Sequence, residues 1–133
     1  RMATTQQTQS VECVMQPESI SQARTLVDQI YIDDQIAQYI VELVRTTRTP
    51  EVVSQELAEF IEYGASPRAT LALTLCAKAN AFLEGRGYVV PQDVKDMAHD
   101  VLRHRVATTY EAEAEGKSSD DVVAAILNFV PVP

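Results

Sequence analysis

Apolar residues recur at helical spacing along most of this chain, and the pattern predicts an all-α fold, a helical bundle. The first periodic stretch covers residues 17–30 and the second covers residues 34–48. Pro17 suits the first turn of a helix, and the Asp33 side chain can cap the second helix. The residue before Pro50 is disfavoured in the α region, so the second helix should end there.

The third predicted helix, residues 67–84, is rich in alanine and leucine. Ser66 supplies a cap oxygen, and Pro67 suits the first helical position because its missing N–H would have been unpaired there anyway. We expect this helix at the centre of the bundle, with Leu71 and Leu75 in the core. Replacing either leucine by alanine should then lower the stability by about 2–5 kcal/mol.

Two further helices are predicted in the second half of the chain. Gly85 tolerates the left-handed conformation and ends the third helix, after which Pro91 opens a fourth that runs to residue 102. Ser119 caps a fifth and last helix whose apolar residues face inward. A solvated acidic loop is expected before it, carrying three alternating glutamates: Glu111, Glu113 and Glu115.

Three segments have weaker patterns. Residues 49–63 mix apolar and polar positions and predict a helical turn or two under a surface loop. Residues 88–90 form a short run of β-type residues, and we expect them to pair with residues 106–110 in a two-stranded ribbon. Residues 1–15 are expected to be a flexible lead-in, because the polar residues there offer little apolar surface to offset the entropy lost on ordering.

Composition narrows the class of protein. A chain of 133 residues is long enough for one domain, and the predicted domain covers residues 16–133. The formal net charge of −8 argues against a nucleic-acid partner, because a phosphate backbone would be repelled. No apolar run approaches the roughly 20 residues that a membrane span requires, so we expect a cytoplasmic protein.

The cysteines and histidines do not suggest a metal site. Cys13 and Cys76 lie far apart without a CxxC spacing, and Cys76 falls in an apolar helical pattern typical of a reduced core thiol. His99 and His104 are not spaced to share a helix face as zinc ligands do. A disulfide and a metal are therefore not expected.

Arg68 is the residue that conflicts most with its predicted surroundings. It would occupy the second position of a helix, where unpaired N–H groups already carry partial positive charge. An anion in front of the helix would remove the conflict, since the N–H groups and the guanidinium could share its oxygens. The alternative is an Arg68 side chain that bends into water or pairs with an acid such as Glu62. The residues alone leave both interpretations open.

A set of motifs resembles the C-terminal lid of MoxR-family AAA+ ATPases, and the resemblance covers roughly residues 16–133. The motifs are GASPRA at 64–69, GRGYVVPQDV at 85–94, VLRHR at 101–105, DDVV at 120–123, IL at 126–127 and VPVP at 130–133. In that family the arginine of GASPR is the sensor 2 residue, which contacts the terminal phosphate of ATP. The resemblance assigns this role to Arg68, with Ser66 and Pro67 orienting the helix start.

The resemblance also implies what this chain lacks. Neither the GxxxxGK[ST] loop nor the acidic Walker B segment of a P-loop NTPase is present, so no residue here is expected to be catalytic. The first residues, Arg1 and Met2, suggest a piece cut from a longer polypeptide. ATP and magnesium would be bound mainly by a preceding α/β core. The intact protein would be a hexameric, chaperone-like ATPase acting on proteins such as those with von Willebrand A-type domains.

One alternative function and one basic segment stay open. The chain could instead be a free-standing helical module that binds a partner protein and never meets nucleotide. Arg103, His104 and Arg105 could touch a neighbouring subunit or a phosphate, although a solvated basic turn is the simpler interpretation.

Overall fold

The computed structural model describes residues 11–133, so most of the predicted lead-in lies outside the described residues. Residues 11–16, which lie before the first helix, are exposed and belong to no helix or strand. In the described part seven helices follow one another: α1 (Pro17–Asp28), α2 (Asp34–Thr46), α3 (Gln55–Phe60), α4 (Arg68–Leu83), α5 (Pro91–Leu102), α6 (Tyr110–Ala114) and α7 (Ser119–Phe129). The predicted helical bundle is confirmed.

The core lies among α2, α4, α5 and α7, and it is formed by aliphatic side chains. Its largest fully buried hydrophobic side chains are Ile40, Leu43, Leu73, Val94, Leu102, Val122, Val123 and Ile126. The predicted start of α2 is confirmed, because the Asp33 carboxylate accepts a 2.9 Å hydrogen bond from the Gln35 N–H. Pro91 is the first residue of α5, as predicted.

The prediction for the inner face of α4 is wrong. Leu71 and Leu75 are 67% and 53% exposed. The buried face instead presents four residues spaced four apart: Ala69, Leu73, Ala77 and Ala81. The reason is that α4 is apolar on all sides, so that hydrophobic periodicity could not select the inner face. Three alanines leave room for α5 to pack closely against this face.

A two-stranded antiparallel sheet is present, but one of its predicted partners is wrong. β1 (Ile61–Tyr63) pairs with β2 (Ala107–Thr108), with Ile61 opposite Thr108. Tyr88 forms an isolated parallel bridge with Tyr31 instead. Backbone hydrogen bonds of 2.9 Å join Tyr31 N–H to Gly87 O and Val89 N–H to Tyr31 O, so the Tyr88 segment is already engaged beside α1.

Segment 49–63 contains a 3₁₀ turn (Pro50–Val52), helix α3 and strand β1, which is more regular structure than the predicted helical turn or two.

Two boundaries near the C-terminus also differ from prediction. Ser118, and not Ser119, caps α7: its hydroxyl accepts from the Asp121 N–H while the Asp121 carboxylate accepts from the Ser118 N–H. The acidic stretch predicted as a loop forms the short helix α6, because Thr109 supplies a cap oxygen to the Ala112 N–H.

Candidate functional site

Arg68 is the first residue of α4, one position earlier in the helix than predicted. Pro67 precedes it with helical backbone angles, φ −56° and ψ −22°, and no side chain caps the helix. Ser66 therefore does not act as the predicted side-chain cap. Its carbonyl oxygen accepts a 2.8 Å hydrogen bond from the Ala69 N–H, so Ser66 and Pro67 set the direction of the first turn through the backbone.

The Arg68 side chain is exposed, and among residues 11–133 its guanidinium forms no ion pair. Glu62, the acid considered as a partner, does not pair with it. A cation at a helix N-terminus gains nothing from the helix dipole. The guanidinium is thus free to form a charge-assisted hydrogen bond with an anion supplied from outside the described chain.

The loop that leads into Arg68, residues 64–67, is attached to the end of α2 by one buried threonine; we call it the Arg68 loop. The Thr47 hydroxyl donates to the Val44 carbonyl oxygen at 2.6 Å and accepts from the Ala65 N–H at 2.8 Å. Thr47 and Ala65 are both fully buried. The hydroxyl is the only part of the Thr47 side chain that can link the two segments, so this one group joins α2 to the chain three residues before Arg68.

Gly64 completes the attachment by allowing a close approach of two backbones. A Cβ added at Gly64 would lie 2.6 Å from the Thr47 carbonyl carbon and 2.8 Å from the Arg48 Cα. Any larger residue at position 64 would therefore push the loop away from α2. The glycine is required for space and not for an unusual φ, since Gly85 and Gly116 are the glycines with positive φ in the described chain.

Sequence reasoning did not identify Thr47, because it is an ordinary polar residue at a helix end until the fold brings Ala65 beside it. The close approach at Gly64 could not be seen in the sequence either, although that glycine is the first residue of the GASPR motif.

Next to the Arg68 loop, a cleft of about 310 Å³ is lined in part by Arg45, Arg48 and Pro67. Two more arginines therefore lie close to the start of α4 in a chain with a net charge of −8.

Arg86, from the second motif, has a structural partner. Its guanidinium donates to the Asp93 carboxylate at 2.8 Å, and the same carboxylate accepts from Asn80 and from the Val90 N–H. Burial alone would raise the pKa of Asp93, but Arg86, Val90 and Asn80 together hold this pKa below its usual value. The network joins the end of α4 to the start of α5. Because the Arg86 guanidinium is paired with Asp93, it is less available to an outside anion than the exposed Arg68 guanidinium is.

The basic segment after α5 is partly tied into the fold. One oxygen of the Asp120 carboxylate accepts from Arg103 Nε at 2.9 Å and lies 3.0 Å from His99 Nδ1. These two contacts hold the pKa of Asp120 below its usual value. Arg103 thus joins α5 to α7 and is more than a solvated turn residue. His104 is exposed, and Arg105 Nε is buried with no hydrogen-bond partner among residues 11–133.

Two features are absent from the part of the chain that the structure describes. No cluster of three or more histidine, cysteine or acidic side chains in residues 11–133 has the geometry to hold a metal ion. Over the same residues, no helix has both the length and the apolar character needed to span a membrane.

Comparison with known proteins relates the chain to AAA lid domains. Residues 54–126 match the AAA lid domain family. The chain is 38% identical over 104 residues to the chaperone MoxR1 of Mycobacterium tuberculosis, covering 77% of this chain and 28% of that protein. It is 34% identical over 125 residues to YeaC of Bacillus subtilis, covering 94% of this chain and 37% of that protein.

A solved structure agrees with the fold. A candidate ATPase from Cytophaga hutchinsonii superposes with a TM-score of 0.83 at 40% identity, over 87% of this chain and 36% of that protein. The chain therefore spans between about a quarter and two fifths of the length of these similar proteins.

Proposed function

This chain belongs to the AAA lid domain family, as the lid of a MoxR-type AAA+ protein, and from that premise we propose that Arg68 is its sensor 2 arginine. In this role the guanidinium contacts the γ-phosphate of an ATP molecule held by the α/β core of the same protein. The lid then changes position with the nucleotide state and couples hydrolysis to movement in a chaperone-like machine.

The observation that carries the proposal is the state of Arg68: exposed, without an ion pair in residues 11–133, and located at the first position of α4. A charge-assisted hydrogen bond to a phosphate contributes about 1.5–3 kcal/mol. The bond to a γ-phosphate exists with ATP and is lost with ADP. Ser66 and Pro67 support the contact by directing the first turn of the helix, and Thr47 supports it by holding the loop on α2.

The intact protein is proposed to hydrolyse ATP with magnesium, both bound mainly by residues outside this chain, because no phosphate-cradling loop or Walker B segment occurs here. The MoxR relationship favours an oligomer, and we propose a hexamer in the bacterial cytoplasm. Proteins with von Willebrand A-type domains are the proposed clients.

The test is nucleotide binding and hydrolysis by the full-length protein carrying Arg68→Ala. We expect ATP turnover to fall by roughly one to two powers of ten if the bond persists in the transition state, with little change in ADP affinity. Arg68→Lys should restore only part of the activity, since an ammonium lacks the planar two-donor geometry. Arg24→Ala, an exposed arginine on α1, is the control. Full activity in Arg68→Ala, or equal losses of ATP and ADP affinity, would rule out the sensor role.

A further inference from the structure

A cleft of about 970 Å³ lies between α2 and residues 129–133, and none of the residues of the Arg68 loop lines it. Its α2 wall runs from Asp34 to Thr46, which is about 18 Å at 1.5 Å per residue. An extended peptide advances about 3.3 Å per residue, so this length accommodates about five or six residues. The cleft is therefore long enough for a segment of another polypeptide, and we call it the α2 cleft.

Tyr39 lines the α2 cleft with a polar group that has no partner. Tyr39 is 3% exposed, and its buried hydroxyl forms no hydrogen bond with any of residues 11–133. A buried polar group without a partner is unfavourable, and most buried hydroxyls in folded proteins are hydrogen-bonded. Burial raises the pKa of Tyr39, so the hydroxyl stays protonated at neutral pH and can donate. The cleft therefore contains a donor for which the carbonyl oxygen of an incoming peptide would be a partner.

The wall formed by residues 129–133 is apolar and is held by few hydrogen bonds. Phe129 and Val132 are 46% and 45% exposed. The Val130 N–H donates to the Ile126 carbonyl oxygen at 3.0 Å, but no backbone hydrogen bond joins residues 131–133 to the rest of the described chain. This wall can therefore shift to let an acceptor reach the tyrosine hydroxyl, and it offers apolar surface to the side chains of a bound peptide.

The polar lining of the α2 cleft carries more negative than positive charge. Asp34 and Glu42 contribute two carboxylates, whereas Arg45 contributes one guanidinium that already lies 3.7 Å from the Glu42 carboxylate. Asp34 is exposed, and no ion pair within residues 11–133 neutralises it. The whole chain has a formal net charge of −8. A lysine or arginine of a bound segment would therefore be attracted to this cleft, and a glutamate would be repelled.

We infer that the α2 cleft binds an extended segment of a partner protein that carries apolar side chains and at least one lysine or arginine. The Tyr39 hydroxyl donates to a backbone carbonyl oxygen of that segment. The wall around Val132 receives its apolar side chains, and Asp34 attracts its basic residue. This site goes beyond the proposed role of Arg68 and does not depend on it, because no nucleotide contact enters the argument.

The test uses two fluorescein-labelled peptides of about eight residues, one in which lysine alternates with valine and proline and one with glutamate in place of every lysine. Fluorescence anisotropy measures their affinities for the full-length protein. We expect the lysine peptide to bind about tenfold more tightly than the glutamate peptide, and we expect this preference to shrink as the salt concentration rises. Equal affinities for the two peptides, or no binding of the lysine peptide at about 1 mM, would overturn the inference.

Tyr39→Phe removes only the hydroxyl and should weaken binding of the lysine peptide about three- to tenfold. Thermal melts of the 133-residue chain should show no loss of stability in this variant, because the hydroxyl has no hydrogen bond in the described chain to lose. Tyr110→Phe is the matched control, since Tyr110 is 80% exposed on α6 and lies outside the cleft. Wild-type peptide affinity in Tyr39→Phe, or a clear loss of stability, would contradict the role given to this hydroxyl.

Val132→Ser tests the apolar wall, with Val41→Ser as its control. The two valines are 45% and 41% exposed, and Val41 lies on α2 outside the cleft. Val132→Ser should weaken binding of the lysine peptide about two- to fivefold, whereas Val41→Ser should leave it unchanged. Equal effects at the two positions would count against the inference. If the 133-residue chain dimerises in sedimentation and Val132→Ser makes it monomeric, a second copy occupies the cleft and the inference fails.

Discussion

Removing the Thr47 hydroxyl should detach the Arg68 loop from α2 while leaving the helices in place. Thr47→Val keeps the shape of the side chain but loses both hydrogen bonds, the 2.6 Å bond to Val44 and the 2.8 Å bond from Ala65. The Ala65 N–H is then buried without its partner, which costs about 1–3 kcal/mol. We expect the free energy of unfolding of the 133-residue chain to fall by that amount.

Thr46 provides a closely matched control. It is also a buried threonine at the end of α2, and its hydroxyl donates to the Glu42 carbonyl oxygen at 2.7 Å. That bond stays within the helix and does not reach the loop. Thr46→Val should therefore lower the stability by less than Thr47→Val does. The Glu42 carbonyl oxygen lies inside α2, so it can still accept a backbone N–H of the helix when the Thr46 hydroxyl is removed.

The assay combines urea unfolding with hydrogen exchange at the Ala65 amide. Thr47→Val should abolish the protection of this amide, Thr47→Ser should retain most of it, and Thr46→Val should leave it unchanged. In the full-length protein, Thr47→Val should lower ATP turnover and ATP affinity more than ADP affinity, because it releases the loop that carries Arg68. Unchanged Ala65 protection in Thr47→Val, or equal effects at positions 46 and 47, would refute this reasoning.

Two further predictions concern the core and the α4–α5 connection. Leu73→Ala should lower the free energy of unfolding by about 2–5 kcal/mol, because Leu73 is buried, whereas Leu71→Ala should change it by no more than about 0.5 kcal/mol, because Leu71 is exposed. Chemical denaturation of both variants checks this assignment of the two faces of α4. Similar losses in the two variants would mean that the buried face is assigned wrongly. The pKa of Asp93 is lowered in the folded state, so the stability that Asp93 contributes is complete above the unfolded pKa of about 3.9 and is lost as the pH falls through the lower folded pKa. Urea melts from pH 6 to pH 2 should therefore show a smaller loss of stability at acid pH in Asp93→Asn than in wild type. Identical pH profiles of the two proteins would contradict this role.

Local sequence signals predicted those parts of the fold that local interactions determine. Asp33 caps α2 and Pro91 opens α5, since both effects depend on residues within one turn of the helix. The Arg68 motif was also visible in the sequence, although its helix begins one residue later than predicted. The face of α4 could not be predicted, because periodicity identifies a buried face only when the opposite face is polar.

Pairing over long sequence distances was predicted less well. Residues 106–110 were recognised as strand-forming, but β2 is paired with β1, in a segment that was expected to form a helical turn or two under a surface loop. The residue type alone does not choose among short partners, because a two-residue strand carries little side-chain pattern. Thr47 was missed for the same reason: its partner Ala65 lies 18 positions away, and no local rule connects them.

The two supports of the Arg68 loop have a mechanical consequence for the proposed function. Because Thr47 is hydrogen-bonded to Ala65 and Gly64 lies against the backbone of residues 47 and 48, the start of α4 cannot shift far without moving the end of α2. Helix α4 in turn packs closely on α5 through its alanine face. A force applied at the Arg68 guanidinium would therefore be transmitted to the whole helical body and not absorbed by a loose loop.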